Sequence, residues 1–244
     1  MKRYLFGNWK MNMSGADTDH FFDNLPSASR SDVTMAVFPP SIYLERAFRA
    51  VERSGSPVAL GVQNVHSAHH GSYTGEISIS MALDCGATYA LVGHSERRHI
   101  FGESDEATAQ KLEACSCEGL RPVLCVGETL KEREAGKTWV VVERQLNTGL
   151  AGSVNPDLLL VAYEPVWAIG TGCTASPGDA QEVCGAIRRW LRGRFPGKGI
   201  PILYGGSVKP DNASGLFAMA DIDGGLVGGA SMNPSSFAAM AQAR

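Results

Sequence analysis

Three side chains with acid–base or charge-stabilising chemistry stand just beyond apolar runs of this sequence. Glu164 follows the run 158–162, His94 follows the run 89–92, and Lys10 comes soon after the first apolar residues of the chain. A carboxylate can remove a proton bound to carbon. An imidazole N–H and an ammonium group can stabilise the oxyanion that then develops. The three types together indicate proton transfer beside a carbonyl group.

Each of these side chains also has an ordinary structural interpretation. A lone glutamate beside a turn is usually a surface residue, and a lysine is usually a solvated amine. His94, however, precedes Ser95 and Glu96, which favour the start of a short helix, and a helix N-terminus disfavours an imidazolium ion. The apolar neighbours of Lys10 indicate a packed loop. We therefore expect a neutral, N–H-donating His94 and a fixed Lys10.

The segment after Glu164 has the composition of a lid. A proline ends the strand because it has no backbone N–H to give, and small residues and two glycines follow it. Closing such a segment over the carboxylate would exclude water from the reaction. The residues of this predicted lid are Pro165, Val166, Trp167, Ala168, Ile169, Gly170, Thr171, Gly172, Cys173, Thr174 and Ala175.

Two glycine turns near the end of the sequence predict an anion-binding site. Gly205 and Gly206 follow one apolar run, and Gly228 and Gly229 follow the next. Consecutive glycines let backbone N–H groups approach an anion closely. In barrels of eight parallel strands, the loops after strands seven and eight commonly hold a phosphate. One such pair is weak evidence, but two pairs at these positions indicate a phosphorylated substrate.

Strand-like and helix-like stretches alternate along the whole chain, which predicts an α/β fold. The eight expected strands are 4–6, 33–38, 58–62, 89–92, 122–126, 158–162, 200–204 and 222–227. Eight strands, each followed by a helix, predict a single-domain (β/α)8 TIM barrel that spans residues 1–244. A doubly wound open sheet is the rival, but its glycine-rich dinucleotide turn is missing after the first strand.

Composition favours an ordinary globular enzyme. Apolar residues make up 44% and charged residues 19% of the chain, and the net charge of −3 does not suggest a nucleic-acid or membrane partner. No apolar run approaches the length of a membrane span, and no signal-peptide core is recognisable. Six cysteines without metal-ligand spacing fit a reduced, cytoplasmic protein with no metal site.

With these motifs in place, the chain resembles triosephosphate isomerases over essentially its full length. The segments that carry the resemblance are 7–12 (GNWKMN), 61–64 (GVQN), 73–78 (YTGEIS), 92–98 (VGHSERR), 125–128 (CVGE), 162–172 (AYEPVWAIGTG), 204–208 (YGGSV) and 226–231 (LVGGAS). The resemblance implies interconversion of dihydroxyacetone phosphate and glyceraldehyde 3-phosphate without a cofactor. It makes Glu164 the base, His94 the electrophile and Lys10 the electrostatic partner.

The resemblance also implies roles for further residues. Asn8 and Glu96 would support catalysis, and Ile169 and Leu226 would close over the base. The phosphate would bind, besides Asn8 and Lys10, to the backbone N–H groups of Gly170, Ser207, Gly228 and Gly229.

A homodimer is a further implication of the resemblance. The loop 63–79 would enter the neighbouring subunit, so that Thr74 approaches the partner's Asn8 and His94. Glu76 would pair with the partner's Arg97. Neither departure from the family pattern touches a proposed catalytic group: Cys173 stands where lysine is usual, and Gly225 stands where an aromatic residue is common. The missing aromatic ring predicts looser packing beneath Leu226.

Two alternatives stay open at this point. Another phosphate-binding barrel, such as a sugar-phosphate epimerase or a Schiff-base aldolase, would need metal-ligating residues or a mid-chain strand lysine, which the sequence lacks. A non-catalytic protein that keeps the fold is the alternative from another class. An assay of triose phosphate interconversion separates these possibilities.

Overall fold

The structure is a computed structural model that describes residues 2–26, 31–168 and 175–243. Eight parallel strands form one closed barrel in sequence order, and the eighth strand pairs with the first. The strands are β1 Arg3–Asn8, β2 Val33–Phe38, β3 Ala59–Val62, β4 Ala87–Val92, β5 Arg121–Val126, β6 Leu160–Tyr163, β7 Ile202–Tyr204 and β8 Gly224–Val227. The predicted (β/α)8 barrel is confirmed.

Helices connect the strands and cover the outside of the barrel. They are α1 Gly15–Asp23, α2 Leu44–Ser54, α3 Ile79–Asp84, α4 Ser95–His99, α5 Asp105–Glu118, α6 Leu130–Glu134, α7 Thr138–Gly149, α8 Pro177–Arg194, α9 Pro210–Phe217 and α10 Pro234–Gln242. Short 3₁₀ turns cover Ser41–Tyr43, Val166–Ala168 and Gly229–Met232. As the sequence suggests, Ser95 opens a short helix. Pro177 is the first residue of the long helix α8.

The strands are apolar on both faces because each face is buried. In β1, the side chains of Tyr4 and Phe6 pack inside the barrel, whereas Leu5 between them packs in the layer under the helices. This alternation follows from the two-residue period of a strand. A strand buried on both sides therefore appears in the sequence as a continuous apolar run.

Two glycines permit close backbone contacts at the strands. A Cβ atom on Gly127 would lie 1.8 Å from the backbone oxygen of Glu164, just after β5 and β6. A Cβ atom on Gly224 would lie 1.7 Å from the backbone oxygen of Tyr4, and Gly224 has φ +155°. Only glycine fits at these positions. Gly224 thus permits β8 to pair with β1, and Gly127 permits the chain at Glu164 to pack against the end of β5.

Gly225 does not leave the loose packing that the sequence suggests. A Cβ atom on Gly225 would lie 3.1 Å from Cζ of Phe217, so the ring of Phe217 from α9 already occupies this space. Both Phe217 and Leu226 are buried. The ring of Phe217 from α9 therefore fills the space that an aromatic side chain at position 225 of β8 would occupy.

We predict that Phe217→Ala destabilises the protein more than Phe217→Leu. Removing a buried phenyl ring costs about 3–5 kcal/mol, and Gly225 has no side chain that could refill the space. Urea unfolding at one fixed protein concentration measures the free energies of unfolding of both variants. A loss below about 1 kcal/mol for Phe217→Ala would contradict this packing role.

Candidate active site

The chemically active side chains meet at the carboxyl-terminal ends of the strands. Asn8 is the last residue of β1, His94 lies two residues after β4, and Glu164 follows β6 directly. The sequence indicated a strand with Glu164 at its end. The ladder in fact stops at Tyr163, and the backbone N–H of Glu164 donates to the carbonyl of Val126 at 2.7 Å. The carboxylate is thus fixed to the rim of the barrel.

The carboxylate of Glu164 is buried, with 2% of the residue exposed. Its Oε2 accepts a hydrogen bond of 2.9 Å from the backbone N–H of Ser95, and its Oε1 lies 3.3 Å from Nε2 of His94. Cγ of Glu164 lies against Gly205, where an added Cβ atom would be only 2.8 Å away. The side chain therefore packs on the first glycine turn, and its two oxygens face donors near the start of α4.

His94 has the tautomer that its expected role requires. Its Nδ1 accepts a hydrogen bond of 3.2 Å from the backbone N–H of Glu96. An Nδ1 atom that accepts carries no proton, so the proton of the neutral ring is on Nε2. Nε2 of His94 lies 3.3 Å from Oε1 of Glu164. The geometry agrees with a neutral imidazole whose Nε2–H group can donate to a substrate.

Lys10 has a left-handed backbone, with φ 53°. Such a conformation is uncommon outside glycine and persists only where the surroundings hold it. The backbone N–H of Lys10 donates to Oδ1 of Asn8 at 3.0 Å, and its carbonyl accepts from Nε2 of Gln63 at 2.8 Å. Its Nζ atom lies 2.6 Å from Oε1 of Glu96. The ammonium group is therefore fixed at the mouth of the barrel.

The second glycine turn lies on the same side of the mouth as Lys10. An added Cβ atom on Gly228 would be 3.8 Å from Cε of Lys10, and Gly229 begins the 3₁₀ turn that follows β8. In the first turn, the carbonyl of Ser207 accepts from Nδ2 of Asn212 at 3.0 Å. The contacts of Glu164, His94, Glu96 and Lys10 thus connect one glycine turn to the other.

A cavity of about 470 Å³ opens beside these residues. Asn8, Lys10, His94 and Glu96 contribute to its wall. Glu164 and the two glycine turns do not line this cavity. Met11, Ile100 and Phe101 lie at its outer edge and are 96%, 70% and 70% exposed. The cavity therefore has a polar inner wall and an apolar outer rim.

The residues expected to contact a partner lie near this rim. Glu76 accepts from Nδ2 of Asn64 in its own chain at 3.4 Å, and Nε of Arg97 lies 2.6 Å from Oε2 of Glu103. Thr74 is exposed in the loop between β3 and α3. The proposed pairing of Glu76 with Arg97 of a second subunit stays a prediction.

The first part of the predicted lid is anchored by Glu128, a residue that the sequence analysis did not assign to the site. Glu128 lies two residues beyond β5 and is fully buried. Its carboxylate accepts from the Trp167 Nε1–H group at 3.0 Å and from the Tyr163 hydroxyl at 3.1 Å. Burial raises the pKa of Tyr163, and the charge of Glu128 raises it further, so the hydroxyl remains a donor. Ile169–Thr174 of the predicted lid lie outside the described residues.

Two further groups escaped the sequence analysis. The N–H donor to Glu164 is the backbone of Ser95, and a backbone group leaves no mark in composition. Cys125 lies inside the barrel near the base. Burial raises the pKa of its thiol well above the usual range, and the negative charge of Glu164 adds to that effect. Cys125 lies near the carboxyl-terminal end of β5, and this position in the sequence could have marked it as a residue near the site.

A buried ion network supports the segment that carries His94. Glu103 accepts from the backbone N–H of Gly93 at 3.1 Å and from Arg97 and Lys111 at 2.6 and 2.7 Å. Burial raises the pKa of Glu103, but the hydrogen bonds from Lys111 and Arg97 outweigh it and leave the pKa below the ordinary value. Glu103 is therefore a charged anchor at the entrance to α4.

Within the described ranges, no three His, Cys, Asp or Glu side chains are placed to hold a metal ion. None of the described helices is both long and apolar enough to cross a membrane.

Comparison with known proteins gives one consistent result. The sequence model of the triosephosphate isomerase family matches residues 3–244. A triosephosphate isomerase from Carboxydothermus hydrogenoformans is 49% identical over 246 aligned positions, which cover 98% of this chain and 97% of the relative. The triosephosphate isomerase of Marinobacter nauticus is 48% identical, with 97% and 95% covered. That of Shewanella oneidensis is 45% identical, with 95% and 93% covered.

We predict that Glu103→Gln lowers stability at neutral pH and flattens its pH dependence in acid. A carboxyl group whose pKa is lowered by folding stabilises the protein above its unfolded value, near 4.5, and loses that contribution as the pH falls through its folded value. The expected loss at pH 7 is about 1–3 kcal/mol, because the buried Lys111 and the half-buried Arg97 lose their partner. Chemical denaturation from pH 7 to pH 3 measures it.

Glu45→Gln is the matched control. Glu45 pairs with Arg49 on the surface of α2, and its side chain is 64% exposed, so its removal should change stability little. A Glu103→Gln variant whose stability follows the wild-type pH curve would refute the role of the charged group.

Proposed function

The chain belongs to the triosephosphate isomerase family and is an isomerase, and we propose that Glu164 is the base of its reaction. The observation that carries this proposal is the buried carboxylate of Glu164, 3.3 Å from the Nε2–H group of His94. In the proposed reaction, Glu164 takes a proton from the carbon beside the substrate carbonyl. It exchanges its hydrogen bond with Ser95 for the substrate and returns the proton to the neighbouring carbon.

His94 and Lys10 stabilise the charge that develops on the substrate oxygens. The Nε2–H group of His94 donates to the enediolate, and the ammonium group of Lys10 supplies positive charge at the mouth of the barrel. Asn8 holds the backbone of Lys10 at 3.0 Å, and Glu96 holds its ammonium group at 2.6 Å. Donors fixed before the reaction need no rearrangement when the charge appears, which is the main source of electrostatic catalysis.

The phosphate group binds at the two glycine turns. The backbone N–H groups of Ser207, Gly228 and Gly229 are its proposed donors, together with that of Gly170, which lies outside the described residues. The side chain of Lys10 supports this arrangement, because its Cε lies 3.8 Å from where a Cβ atom on Gly228 would be and thus places a cation beside the second turn. Asn8 and Lys10 complete the binding site for a triose phosphate.

The lid from Pro165 to Ala175 closes over the bound substrate in this proposal. Ile169 and Leu226 would then meet above the base and exclude water, which would also limit loss of phosphate from the enediolate. Leu226 is buried in the inner layer of the barrel, which supports a fixed partner for a moving segment.

The reaction shifts protons within one molecule, so we propose that it needs no cofactor.

We also propose that the chain forms a homodimer, is one domain and acts in the cytoplasm. The apolar rim of Met11, Ile100 and Phe101, beside the cavity that Lys10 and His94 line, supports a partner surface at this place. In the dimer, Thr74 of one subunit reaches the partner's Asn8 and His94, and Glu76 pairs with the partner's Arg97. Each active site is then complete only when the other subunit covers it.

We predict that Glu164→Gln lowers kcat by about 10³–10⁴-fold, because an amide cannot accept the proton from carbon. Inorganic phosphate should bind to the variant as it does to the wild type, since the glycine turns are unchanged. Coupled assays in both directions and titration calorimetry measure the two quantities. A wild-type kcat in the variant would remove Glu164 from the role of base.

We predict that Thr74→Glu, or deletion of Tyr73–Gly75, gives monomers of low activity. A buried charge at a subunit contact is costly, and the shortened loop cannot reach the partner. Sedimentation velocity together with the isomerase assay tests this. A fully active monomer would contradict the proposed dependence of the active site on the dimer.

A further inference from the structure

Gln145 is a buried amide on the otherwise apolar inner face of α7. Only 2% of the residue is exposed, and the other buried residues of this helix are Val141, Val142, Leu146 and Gly149. A polar side chain rarely lies on such a face unless its hydrogen bonds are made. Both polar atoms of this amide are bonded, and both are bonded to the same residue.

The partner of Gln145 is Gly127, the residue that follows β5. Oε1 of Gln145 accepts from the backbone N–H of Gly127 at 2.8 Å, and Nε2 donates to the carbonyl of Gly127 at 3.2 Å. An amide side chain has one carbonyl oxygen and one NH2 group, so this pair of contacts fixes its orientation. Gln145 thus binds Gly127 as a neighbouring strand would bind it, through one donor and one acceptor.

The amide stands where β4 has ended. The last residues that β4 and β5 pair are Val92 and Leu124, and Gly93 then turns the chain away with φ +71°. Gly127 lies beyond this point and is buried. A buried N–H or C=O group without a partner is costly. The side chain of Gln145 therefore supplies the hydrogen bonds that β4 does not reach.

Gly127 in turn adjoins the segment that carries the base. The N–H of Glu164 donates to the carbonyl of Val126 at 2.7 Å, and the N–H of Val166 donates to the carbonyl of Glu128 at 3.0 Å. Gly127 lies between these two hydrogen bonds. A Cβ atom on Gly127 would be only 1.8 Å from the backbone oxygen of Glu164. The two segments are thus in direct contact, and a shift of Gly127 shifts the backbone of Glu164.

We propose that Gln145 is a positioning residue for the base, which it acts on by fixing Gly127 and thereby the backbone of Glu164. The inference rests on the proposed function, in which the carboxyl group of Glu164 transfers the proton. Gln145 lies on a helix outside the barrel, so it acts through Gly127 and not on the substrate. A displacement of about 1 Å at a reacting group can cost about 10²-fold in rate.

The alternative is that Gln145 only satisfies two buried backbone groups. Its loss would then lower the free energy of unfolding and leave the kcat of the folded protein unchanged. A change in stability alone does not separate these roles. The kcat of the folded variants, its pH profile and its dependence on Glu164 do separate them.

Gln145→Met is the first test, because methionine keeps the length and the apolar packing but makes neither hydrogen bond. We expect kcat to fall about tenfold. The Kd of inorganic phosphate should stay within about twofold of the wild-type value, since the glycine turns that are proposed to bind phosphate follow other strands. The isomerase assay and titration calorimetry measure the two quantities.

Gln181→Met is the matched control. The amide of Gln181 also makes two hydrogen bonds with one residue, Asp221, at 2.6 and 3.0 Å. Asp221 precedes β8 and so lies at the opposite end of the barrel from Glu164. This variant should lower stability and leave kcat unchanged.

Gln145→Glu adds a test by pH. A neutral carboxylic acid has one donor and one acceptor and can make both hydrogen bonds, whereas a carboxylate only accepts and would face the carbonyl of Gly127. Burial raises the pKa of the introduced carboxyl group. We expect kcat near the wild-type value at pH 6, with any loss on the alkaline side. The ratio to the wild-type kcat at each pH removes the titration of Glu164 itself. If Gln145→Met does not fold, this variant replaces it.

The effect should also disappear when the base is removed. Adding Gln145→Met to Glu164→Gln should lower kcat by less than about twofold, because a residue that acts through the carboxylate then has nothing to position.

Three results would overturn the proposal. They are an unchanged kcat in Gln145→Met, a further tenfold loss in the Glu164→Gln background, and a Gln145→Glu variant as slow as Gln145→Met at every pH. Failure of the proposed function is a separate observation, because Glu164→Gln alone would then keep the wild-type kcat.

Discussion

The buried carboxylate of Glu164 sets the main constraint on this structure, because a charge removed from water must be met by donors at fixed positions. One oxygen accepts from the backbone of Ser95 and the other faces His94. Both donors belong to the segment at the end of β4, whereas Glu164 follows β6. The closed barrel holds these strand ends in a fixed relation. Gly127 contributes by allowing the chain at Glu164 to approach the end of β5. The barrel thus acts as a rigid frame for one buried carboxyl group.

Much of this frame was predictable because burial on both faces produces apolar runs. The strand Val33–Phe38 matches the sequence expectation in both bounds. The runs that begin at residues 158 and 200 were less informative, since their ladders start only at Leu160 and Ile202. Leu159 and Ile200 are buried but precede the strands. Apolar composition reports burial, whereas strand bounds depend on hydrogen bonds to neighbours that the local sequence does not specify.

The same distinction explains which site residues were predicted. Glu164, His94, Lys10 and the glycine turns were identified because each carries a local signal at a strand end. The contacts that hold these residues in place were not predicted from the sequence. Gln63 donates to the carbonyl of Lys10 across 53 residues of sequence, and Glu128 receives the indole of Trp167 across 39. Such partners depend on side-chain directions in the folded barrel. A pattern along the chain can suggest the chemistry of a residue, but the donors around it are a property of the fold.

Glu128 and Glu164 show why these donors matter more than residue type. Both are buried carboxylates just beyond adjacent strands, β5 and β6. Glu128 accepts from a phenol and an indole and faces the guanidinium group of Arg133, so exposing it would cost several charge-assisted contacts at once. Glu164 accepts from one backbone N–H group and lies 3.3 Å from one imidazole nitrogen, and the imidazole is itself a proposed ligand of the substrate. The first set of partners suits a permanent anchor. The second can be exchanged for a substrate, which is what a base that must release its resting contacts requires.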